Sequence, residues 1–280
     1  MNCRIRGVNY HVEMAGTGEP LLLLHGFTGS TATWRPAVAG LADRFRVMMI
    51  DELGHGQTDC PPNPARYTME EAAADLAAIL DAYGFTRAHV LGYSMGGRLA
   101  LGFACLYPRR VGTLILESAS PGLRTAAERM QRRTHDNRLA KRVLKEGIPA
   151  FVDRWEAIPL FMTQRRLPQS MRQAVRAERL GQCAAGLAGS LRGMGTGMQP
   201  SWWDRLTALR MPVLLISGER DEKFCRIAAE MDDRLAHARR SIIPDAGHNT
   251  HIEKADAFVQ TVRPFLIDHL LDPGHAEANR

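Results

Sequence analysis

The chain has 280 residues, of which 45% are hydrophobic, and it carries a formal net charge of +6 at neutral pH. This length and hydrophobic content can bury a substantial core, either in one large domain or in a core with an inserted subdomain. The longest apolar run near the start, residues 21–24, is far too short to span a membrane and no secretory leader precedes it, so we predict a cytoplasmic protein.

The first third of the chain alternates between short apolar stretches and loops that contain glycine. Residues 1–4 open into a strand, and residues 8–14 alternate as an edge strand does. Residues 21–24 are continuously apolar, which is typical of a strand covered on both faces. Residues 45–50 predict the next strand, and residues 68–83 predict a helix that begins at a threonine cap and stops at a glycine.

The sequence Gly92-Tyr93-Ser94-Met95-Gly96 lies between an apolar strand at residues 88–91 and a helical stretch at residues 99–107. A serine on so sharp a turn has an exposed hydroxyl and a strained backbone, which requires neighbours without Cβ two residues to either side. Gly92 and Gly96 meet that requirement. The pattern is the G-x-S-x-G nucleophile elbow, and the helix after it points N–H groups towards negative charge that forms near Ser94.

After a further strand at residues 111–116, the pattern changes at Pro121-Gly122. Residues 122–200, which we call the cap, are helical in pattern and contain 15 Arg plus Lys against 6 Asp plus Glu, a net charge of +9. The rest of the chain carries 21 against 24, a net charge of −3. Few aromatic residues are interleaved for base stacking, so a lid that attracts a small polyanion fits as well as a nucleic-acid surface, and a solvated arginine-rich face is the alternative.

Regular alternation returns with a strand at residues 213–216, a helix to about residue 236, a strand at residues 241–243 and a final helix at about residues 252–270. Strands that alternate with helices predict an α/β fold with a mostly parallel sheet and helices on both faces. We therefore predict a core of residues 1–121 and 201–270, a helical cap of residues 122–200, and a flexible tail of residues 271–280.

Three polar residues follow three predicted strands, where the carboxyl ends of a parallel sheet bind ligands: Ser94, Asp221 and His248. A serine hydroxyl is too weak an acid to ionise alone, so an imidazole must take its proton, and a carboxylate on the other ring nitrogen fixes the tautomer. The order serine, acid, histidine is that of the α/β-hydrolase fold. The backbone N–H groups of Met95 and Phe27 are the candidates for holding an oxyanion.

These polar residues also allow other assignments. Asp245 is a rival acid, although it is close to His248 in sequence, and Asp51 is a weaker one. A metal site formed by His248, His251 and Glu253 lacks a third element with thiolates or clustered carboxylates. The five cysteines are scattered without a C-x-x-C pair, which predicts reduced thiols and no structural zinc. Two further histidines are expected to support turns: His25 and His55.

The motifs resemble those of the α/β-hydrolase superfamily over about residues 20–267. More narrowly, they are similar to those of its menaquinone-pathway members, the 2-succinyl-6-hydroxy-2,4-cyclohexadiene-1-carboxylate synthases. The narrower resemblance depends on four stretches: His25-Gly26-Phe27-Thr28-Gly29-Ser30, Gly92-Tyr93-Ser94-Met95-Gly96-Gly97-Arg98, Gly218-Glu219-Arg220-Asp221-Glu222-Lys223-Phe224 and Ala246-Gly247-His248-Asn249-Thr250-His251. Glu52 departs from the aliphatic residue that is usual at its position.

The resemblance implies a lyase that abstracts a proton from a cyclohexene tricarboxylate and eliminates pyruvate, without an acyl-enzyme and without a cofactor. It also implies a small-molecule polycarboxylate as the partner, bound by permanently charged arginines. Arg98 matches a ligand residue of the family. The other implied substrate-binding residues are Tyr93 and, in the cap, Arg132, Trp155 and Arg179, for which Arg133 or Arg176 are alternatives. No nucleic-acid or membrane partner is expected, and the chain is expected to be a monomer or a small homo-oligomer.

Three other function classes stay open at this point. The same catalytic residues suit an esterase or a carbon–carbon bond hydrolase acting on a small acidic substrate. A non-enzymatic receptor with a closing cap would not need Ser94, Asp221 and His248 together. A nucleic-acid role predicts binding that collapses steeply with added salt.

Overall fold

A computed structural model describes residues 2–271, and its centre is one eight-stranded sheet in the order β1-β2-β4-β3-β5-β6-β7-β8. Strands β3 to β8 are parallel, whereas β1 and β2 run antiparallel to their neighbours. The fold is therefore of the predicted α/β class. The strands are β1 Asn2–Ile5, β2 Val8–Ala15, β3 Glu19–Leu24, β4 Phe45–Ile50, β5 Ala88–Tyr93, β6 Val111–Glu117, β7 Val213–Gly218 and β8 Ala238–Ile243.

The leucine run in β3 shows why the middle of the sheet is apolar on both faces. Leu22 and Leu24 belong to one buried cluster, and Leu21 and Leu23 belong to the cluster on the opposite face. Successive side chains of a strand point to opposite faces, so a strand covered on both sides must be apolar throughout. The prediction that β2 is an edge strand is wrong, because β1 pairs with its outer side and takes the edge position.

Helices cover both faces of the sheet. They are α1 Arg35–Val38, α2 Met69–Ala82, α3 Met95–Leu106, α4 Ala126–Trp155, α5 Gln169–Leu180, α6 Ala184–Gly193, α7 Glu222–Asp232, α8 Thr250–Glu253 and α9 Ala255–Ile267. Short 3-10 helices lie at Thr31–Trp34, Pro64–Tyr67, Pro108–Arg110, Pro159–Arg166 and Trp203–Ala208. Thr68 caps α2 as predicted, since its side chain accepts from the N–H of Glu71.

Two predicted helices differ from expectation in their bounds. The helix after Asp221 stops at Asp232, not near residue 236, because β8 already begins at Ala238. The final helix is two helices, since Lys254 has φ −146° and ψ 58° and interrupts the helical backbone between α8 and α9. A side-chain cap explains the early start of α8, where Asn249 accepts from the N–H of Ile252.

Residues 122–200 contain helices α4, α5 and α6. The two ends of this segment meet at the same place on the core. The N–H of Trp202 donates to the carbonyl of Pro121, and the indole of Trp203 donates to the carbonyl of Gly122. Helix α4 kinks at Gly147, whose φ of 79° is left-handed, just before Pro149, which lacks an N–H for the helix. The meeting of the two ends supports our proposal that residues 122–200 are an inserted subdomain.

Two predictions concern the ends of the chain and its surroundings. Of the predicted flexible tail, residues 272–280 lie outside the described residues, as does residue 1 of the first strand. Among residues 2–271, none of the helices combines the length and apolar character that a membrane crossing requires. The five cysteines all lie in this part of the chain, and each is a free thiol.

Candidate active site

Ser94 stands on a strained turn between β5 and α3. Its φ of 51° and ψ of −103° lie in a region that L-residues rarely adopt. A Cβ on Gly92 would come within 2.2 Å of the Gly96 carbonyl oxygen, and a Cβ on Gly96 would come within 2.3 Å of the Leu24 carbonyl oxygen. Only glycine fits at both positions, so the strand, turn and helix can pass each other with the serine at the apex.

The side chains of Ser94, His248 and Asp221 form one hydrogen-bonded series. The Oγ of Ser94 lies 2.9 Å from Nε2 of His248, and Nδ1 of His248 lies 2.6 Å from Oδ2 of Asp221. A carboxylate can only accept, so Nδ1 carries the proton and Nε2 is left to accept from the serine hydroxyl. His248 is 1% and Asp221 7% exposed, which keeps this series largely away from water.

The rival acids are bonded elsewhere. Asp245 is an exposed residue whose carboxylate lies 2.7 Å from Nε of Arg220 and 3.2 Å from Nζ of Lys254. Asp51 is buried and accepts from the backbone N–H groups of Thr31 and Gln57. The structure therefore brings neither of them to the imidazole.

The side chains suggested as an alternative metal site also separate. His251 bonds to Glu117, and Glu253 accepts from the backbone N–H groups of Gly247 and Asn249. In the described part of the chain there is no group of three or more His, Cys, Asp or Glu side chains that could hold a metal ion.

A cavity of about 270 Å³ lies over Ser94, between the sheet edge and the cap. Ser94 and His248 line it, and so do Phe27 and Met95. Met95 is the first residue of α3, and the first N–H groups of a helix have no partner within that helix. Both residues proposed to hold an oxyanion therefore border the same cavity as the serine.

Four of the five predicted substrate-binding residues line this cavity: Tyr93, Arg98, Arg132 and Trp155. Arg98 donates through Nη1 to the carbonyl of Met194 and to Oε1 of Gln199, at 2.7 and 2.8 Å. Arg132 donates from Nε to Asp136 at 2.8 Å, and 43% of its side chain is exposed. Two guanidinium groups thus border a cavity whose remaining wall is partly aromatic.

Arg179 is the predicted residue that the structure does not bring to this cavity. It lines a separate hollow of about 460 Å³ within the cap, together with Arg176. Its guanidinium donates to Gln164 at 2.9 Å and to Glu156 at 3.3 Å, and it lies 4.8 Å above the ring of Phe161. A buried arginine needs such acceptors, and here the residue just after α4 and the 3-10 helix Pro159–Arg166 supply them.

Sequence reasoning did not assign several residues that line the cavity. Lys223 and Phe224 lie on the first turn of α7, and the ring of Phe224 is 4.7 Å from that of His248. Both belong to the motif around Asp221, so the sequence carries a signal for them as well as for the acid. His135 stands three residues after Arg132 on α4, and this helical spacing could have identified it.

A second buried pair, Glu117 and His251, lies behind the site. Oε1 of Glu117 accepts from the N–H and the hydroxyl of Thr250, at 2.6 and 2.7 Å, and Oε2 lies 2.6 Å from Nδ1 of His251. The backbone carbonyl of Glu117 also accepts from the N–H of Ser94 at 2.8 Å. One residue at the end of β6 therefore connects the serine turn with the segment that follows His248.

Glu52, the position that departs from the family pattern, is a buried acid beside Arg98. It is 3% exposed, and neither carboxylate oxygen has a hydrogen-bond partner within residues 2–271. Burial raises the pKa of Glu52 to about 8, although the charge of Arg98 lowers it. Burial likewise lowers the pKa of Arg98 to about 10, with the charge of Arg132 acting in the same direction and Glu52 opposing it.

Replacement of Glu52 by glutamine is expected to stabilise the protein at alkaline pH and not at acid pH. The folded-state pKa of about 8 is above the ordinary value of 4.5, so between these two pH values the unfolded chain loses the proton of Glu52 and the folded protein keeps it. The free energy of unfolding of the wild type is therefore highest below pH 4.5 and falls as pH rises towards 8. In urea unfolding, Glu52→Gln should exceed wild type by about 2 to 4 kcal/mol near pH 8.5 and match it near pH 5. Exposed Glu70→Gln, the control, should show no such difference, and equal wild-type and Glu52→Gln curves at both pH values would refute the assignment.

The chain is similar to known proteins over most of its length. The family model described as alpha/beta hydrolase fold matches residues 19–255. The 2-succinyl-6-hydroxy-2,4-cyclohexadiene-1-carboxylate synthase of Serratia proteamaculans (strain 568) is 31% identical over 249 residues, which are 89% of this chain and 93% of that one. A Bacillus subtilis (strain 168) protein that carries the same name provisionally is 47% identical over 262 residues, 93% of this chain and 95% of its own. The solved structure of MenH from S. aureus is 34% identical with a TM-score of 0.88, and the match covers 93% of this chain and 98% of that one.

Proposed function

Because the chain belongs to the alpha/beta hydrolase fold family and, within it, to the 2-succinyl-6-hydroxy-2,4-cyclohexadiene-1-carboxylate synthases, we propose that it eliminates pyruvate from 2-succinyl-5-enolpyruvyl-6-hydroxy-3-cyclohexene-1-carboxylate. The product is 2-succinyl-6-hydroxy-2,4-cyclohexadiene-1-carboxylate, an intermediate of menaquinone biosynthesis. The enzyme is thus a carbon–oxygen lyase. The observation that carries the proposal is the series Ser94, His248 and Asp221 beneath a cavity bordered by two arginines.

The two hydrogen-bond distances support a role for each of the three side chains. The Oγ of Ser94 can give its proton to Nε2 of His248 and take the proton from the ring carbon that bears the succinyl ketone. Asp221 holds the imidazole in the tautomer that accepts and stabilises the imidazolium that forms. The electron pair released from the C–H bond moves onto the ketone oxygen as an enolate, towards the N–H groups of Phe27 and Met95.

The second half of the reaction expels the leaving group. The enolate collapses, the ring double bonds shift to the 2 and 4 positions, and the bond between the ring and the enolpyruvyl oxygen breaks. The proton taken from the ring stays on Oγ of Ser94 and restores its hydroxyl, and the proton held by His248 passes to the departing enolpyruvate, which becomes pyruvate. No bond between substrate and Ser94 forms, and the chain's residues require no cofactor for these steps.

The charge of the cavity suits a substrate with three carboxylates. Arg98 and Arg132 border the cavity, and arginine binds carboxylates through two parallel N–H bonds. Arg98 is held in place by Met194 and Gln199, so it is oriented before substrate arrives. We propose Tyr93 and Trp155 as further contacts of the substrate, and we do not propose Arg179 as a direct contact because it lies in the neighbouring hollow.

The test compares elimination with ester hydrolysis, which the same side chains could support. Purified protein is incubated with the enolpyruvyl tricarboxylate and, separately, with a panel of aryl esters, and pyruvate is measured with a coupled dehydrogenase. We expect one pyruvate for each cyclohexadiene formed and little ester turnover. Rapid ester turnover without pyruvate would exclude the lyase and establish the hydrolase alternative.

The proposed setting follows from this reaction. The partner is a small polycarboxylate, and the protein is proposed to act in the cytoplasm as a monomer or small homo-oligomer. We propose no nucleic-acid or membrane partner, since the cationic side chains that border the cavity are used for the substrate.

A further inference from the structure

The loop of residues 25–30 follows β3 and carries Phe27, whose N–H is proposed to face the enolate oxygen. Its backbone turns through Thr28 with a φ of 71°, a left-handed conformation that is costly for a residue with a branched Cβ. Such a conformation persists only where the surroundings hold it. Inside the loop, one backbone bond from the N–H of Gly29 to the carbonyl of Gly26 contributes to this.

The cap supplies further support through helix α5. Oε1 of Glu178 accepts from both the backbone N–H and the hydroxyl of Ser30, each at 2.7 Å. These are short bonds to a carboxylate, which are stronger than bonds between neutral groups. They join a cap residue to the last residue of the loop, 148 positions earlier in the chain.

Gln182, four residues after Glu178 and just beyond the end of α5, continues this contact. Its Nε2 donates to the carbonyl of Gly29 at 3.1 Å, and its Oε1 accepts from the N–H of Gly56 at 3.1 Å. Gln182 is 7% exposed, so water does not readily replace these bonds. The same Nε2 reaches the carbonyl of Glu178 at 3.2 Å, so the two residues act as one unit.

Phe27 is also fixed from the cap side. Its ring lies edge-on to those of Phe151 and Trp155, at centroid distances of 6.2 and 5.5 Å. The loop is thus held at its middle by apolar contacts and at its end by directed hydrogen bonds. The directed bonds are those that can set the orientation of a backbone N–H.

We propose that Glu178 and Gln182 are positioning residues that hold residues 26–30 in the conformation that aims the N–H of Phe27 at the substrate oxygen. Neither residue lines the cavity over Ser94, so both act through the loop. The inference rests on the proposed lyase function, since it assigns the enolate to this loop. If this inference is correct, the rate of proton abstraction depends on the contacts between the C-terminal end of α5 and the loop of residues 25–30.

The test replaces Glu178 by alanine and measures kcat and KM for pyruvate release. Misplacing an oxyanion donor weakens a bond made mainly in the transition state, so kcat should fall about 10- to 100-fold with KM little changed. Glu178→Gln, which keeps an acceptor for the N–H and can donate to the hydroxyl, should recover most of the loss. The matched control is Asp153→Ala, because Asp153 anchors α5 to α4 through Arg176 and not to the core; it should keep the wild-type kcat.

Ser30→Ala provides a second variant that removes one hydroxyl and keeps the N–H bond, in case Glu178→Ala does not fold. It should lower kcat several-fold, and the loss should not add to that of Glu178→Ala, because both changes remove the same bond. Wild-type kcat in both variants, or a loss of thermal stability without a loss of kcat, would overturn the proposal.

A binding measurement that needs no substrate tests this inference separately from the proposed function. Phenylboronic acid forms a tetrahedral anion on an active serine and places an oxygen where an oxyanion would lie. Glu178→Ala should bind it more weakly than wild type, and Asp153→Ala should bind it equally. If the wild type releases no pyruvate, the proposed lyase function fails. Equal boronate affinities of wild type and Glu178→Ala would overturn the positioning role, whatever the pyruvate assay shows.

Discussion

Replacing Ser94 by alanine is expected to lower kcat for pyruvate release by at least about 10³-fold, as removal of one member of such a series does in serine enzymes. The Oγ is the atom that lies 2.9 Å from His248, and alanine removes that atom alone. The fold should survive, because the strained backbone at this position is held by Gly92, Gly96 and the strands around them and not by the hydroxyl. The measurement is the coupled pyruvate assay, with circular dichroism as the check on folding.

The control for this variant is Ser120→Ala. Ser120 lines the same cavity, and its Oγ is close to the N–H of Gly122 and not to His248. It should retain near wild-type kcat. A Ser94→Ala protein that turns over at a similar rate would show that the serine is not the base and would leave His248 to act directly.

Replacing Arg98 by alanine is expected to raise KM about 30- to 150-fold, since it removes a charge-assisted contact with a carboxylate worth about 2 to 3 kcal/mol. The effect on kcat should be smaller, because the guanidinium binds a part of the substrate that does not react. Arg98 also opposes the burial of Glu52, whose pKa it lowers, so some loss of stability at alkaline pH should accompany the change. Steady-state kinetics of pyruvate release measures the first effect, and urea unfolding measures the second.

Arg110→Ala is the matched control for Arg98. Arg110 likewise donates to backbone carbonyls, those of Thr86 and Phe85, and it does not line the cavity. It should lose stability and keep its KM. An unchanged KM in Arg98→Ala would contradict the assignment of this arginine to the substrate.

Much of the core could be predicted from the sequence because its signals are local. The run Leu21–Leu24 identifies a strand covered on both faces, and the structure places alternate leucines in two separate clusters. Gly92 and Gly96 identify the serine turn, since any Cβ at either position would overlap backbone atoms. The side chains expected to form the catalytic series also follow three strands that end at one sheet edge.

What the sequence could not supply depends on contacts between distant segments. β1 and not β2 is the edge strand because β1 pairs with β2, and the alternation of apolar and polar residues in β2 does not determine that pairing. Arg179 resembles the other cap arginines in sequence, yet acceptors on two other segments hold it in a different hollow. Glu178 and Ser30 are 148 residues apart, and nothing local at either residue predicts their bond.

The most direct test of the central claim is to follow the proton itself. Substrate deuterated at the ring carbon that bears the succinyl ketone is turned over by the wild type, and both pyruvate and the deuterium content of the cyclohexadiene are measured. The account predicts that one deuterium leaves the ring for each pyruvate released and that turnover is slower than with protium. Pyruvate release with the deuterium retained at that carbon would contradict proton abstraction by Ser94 and His248.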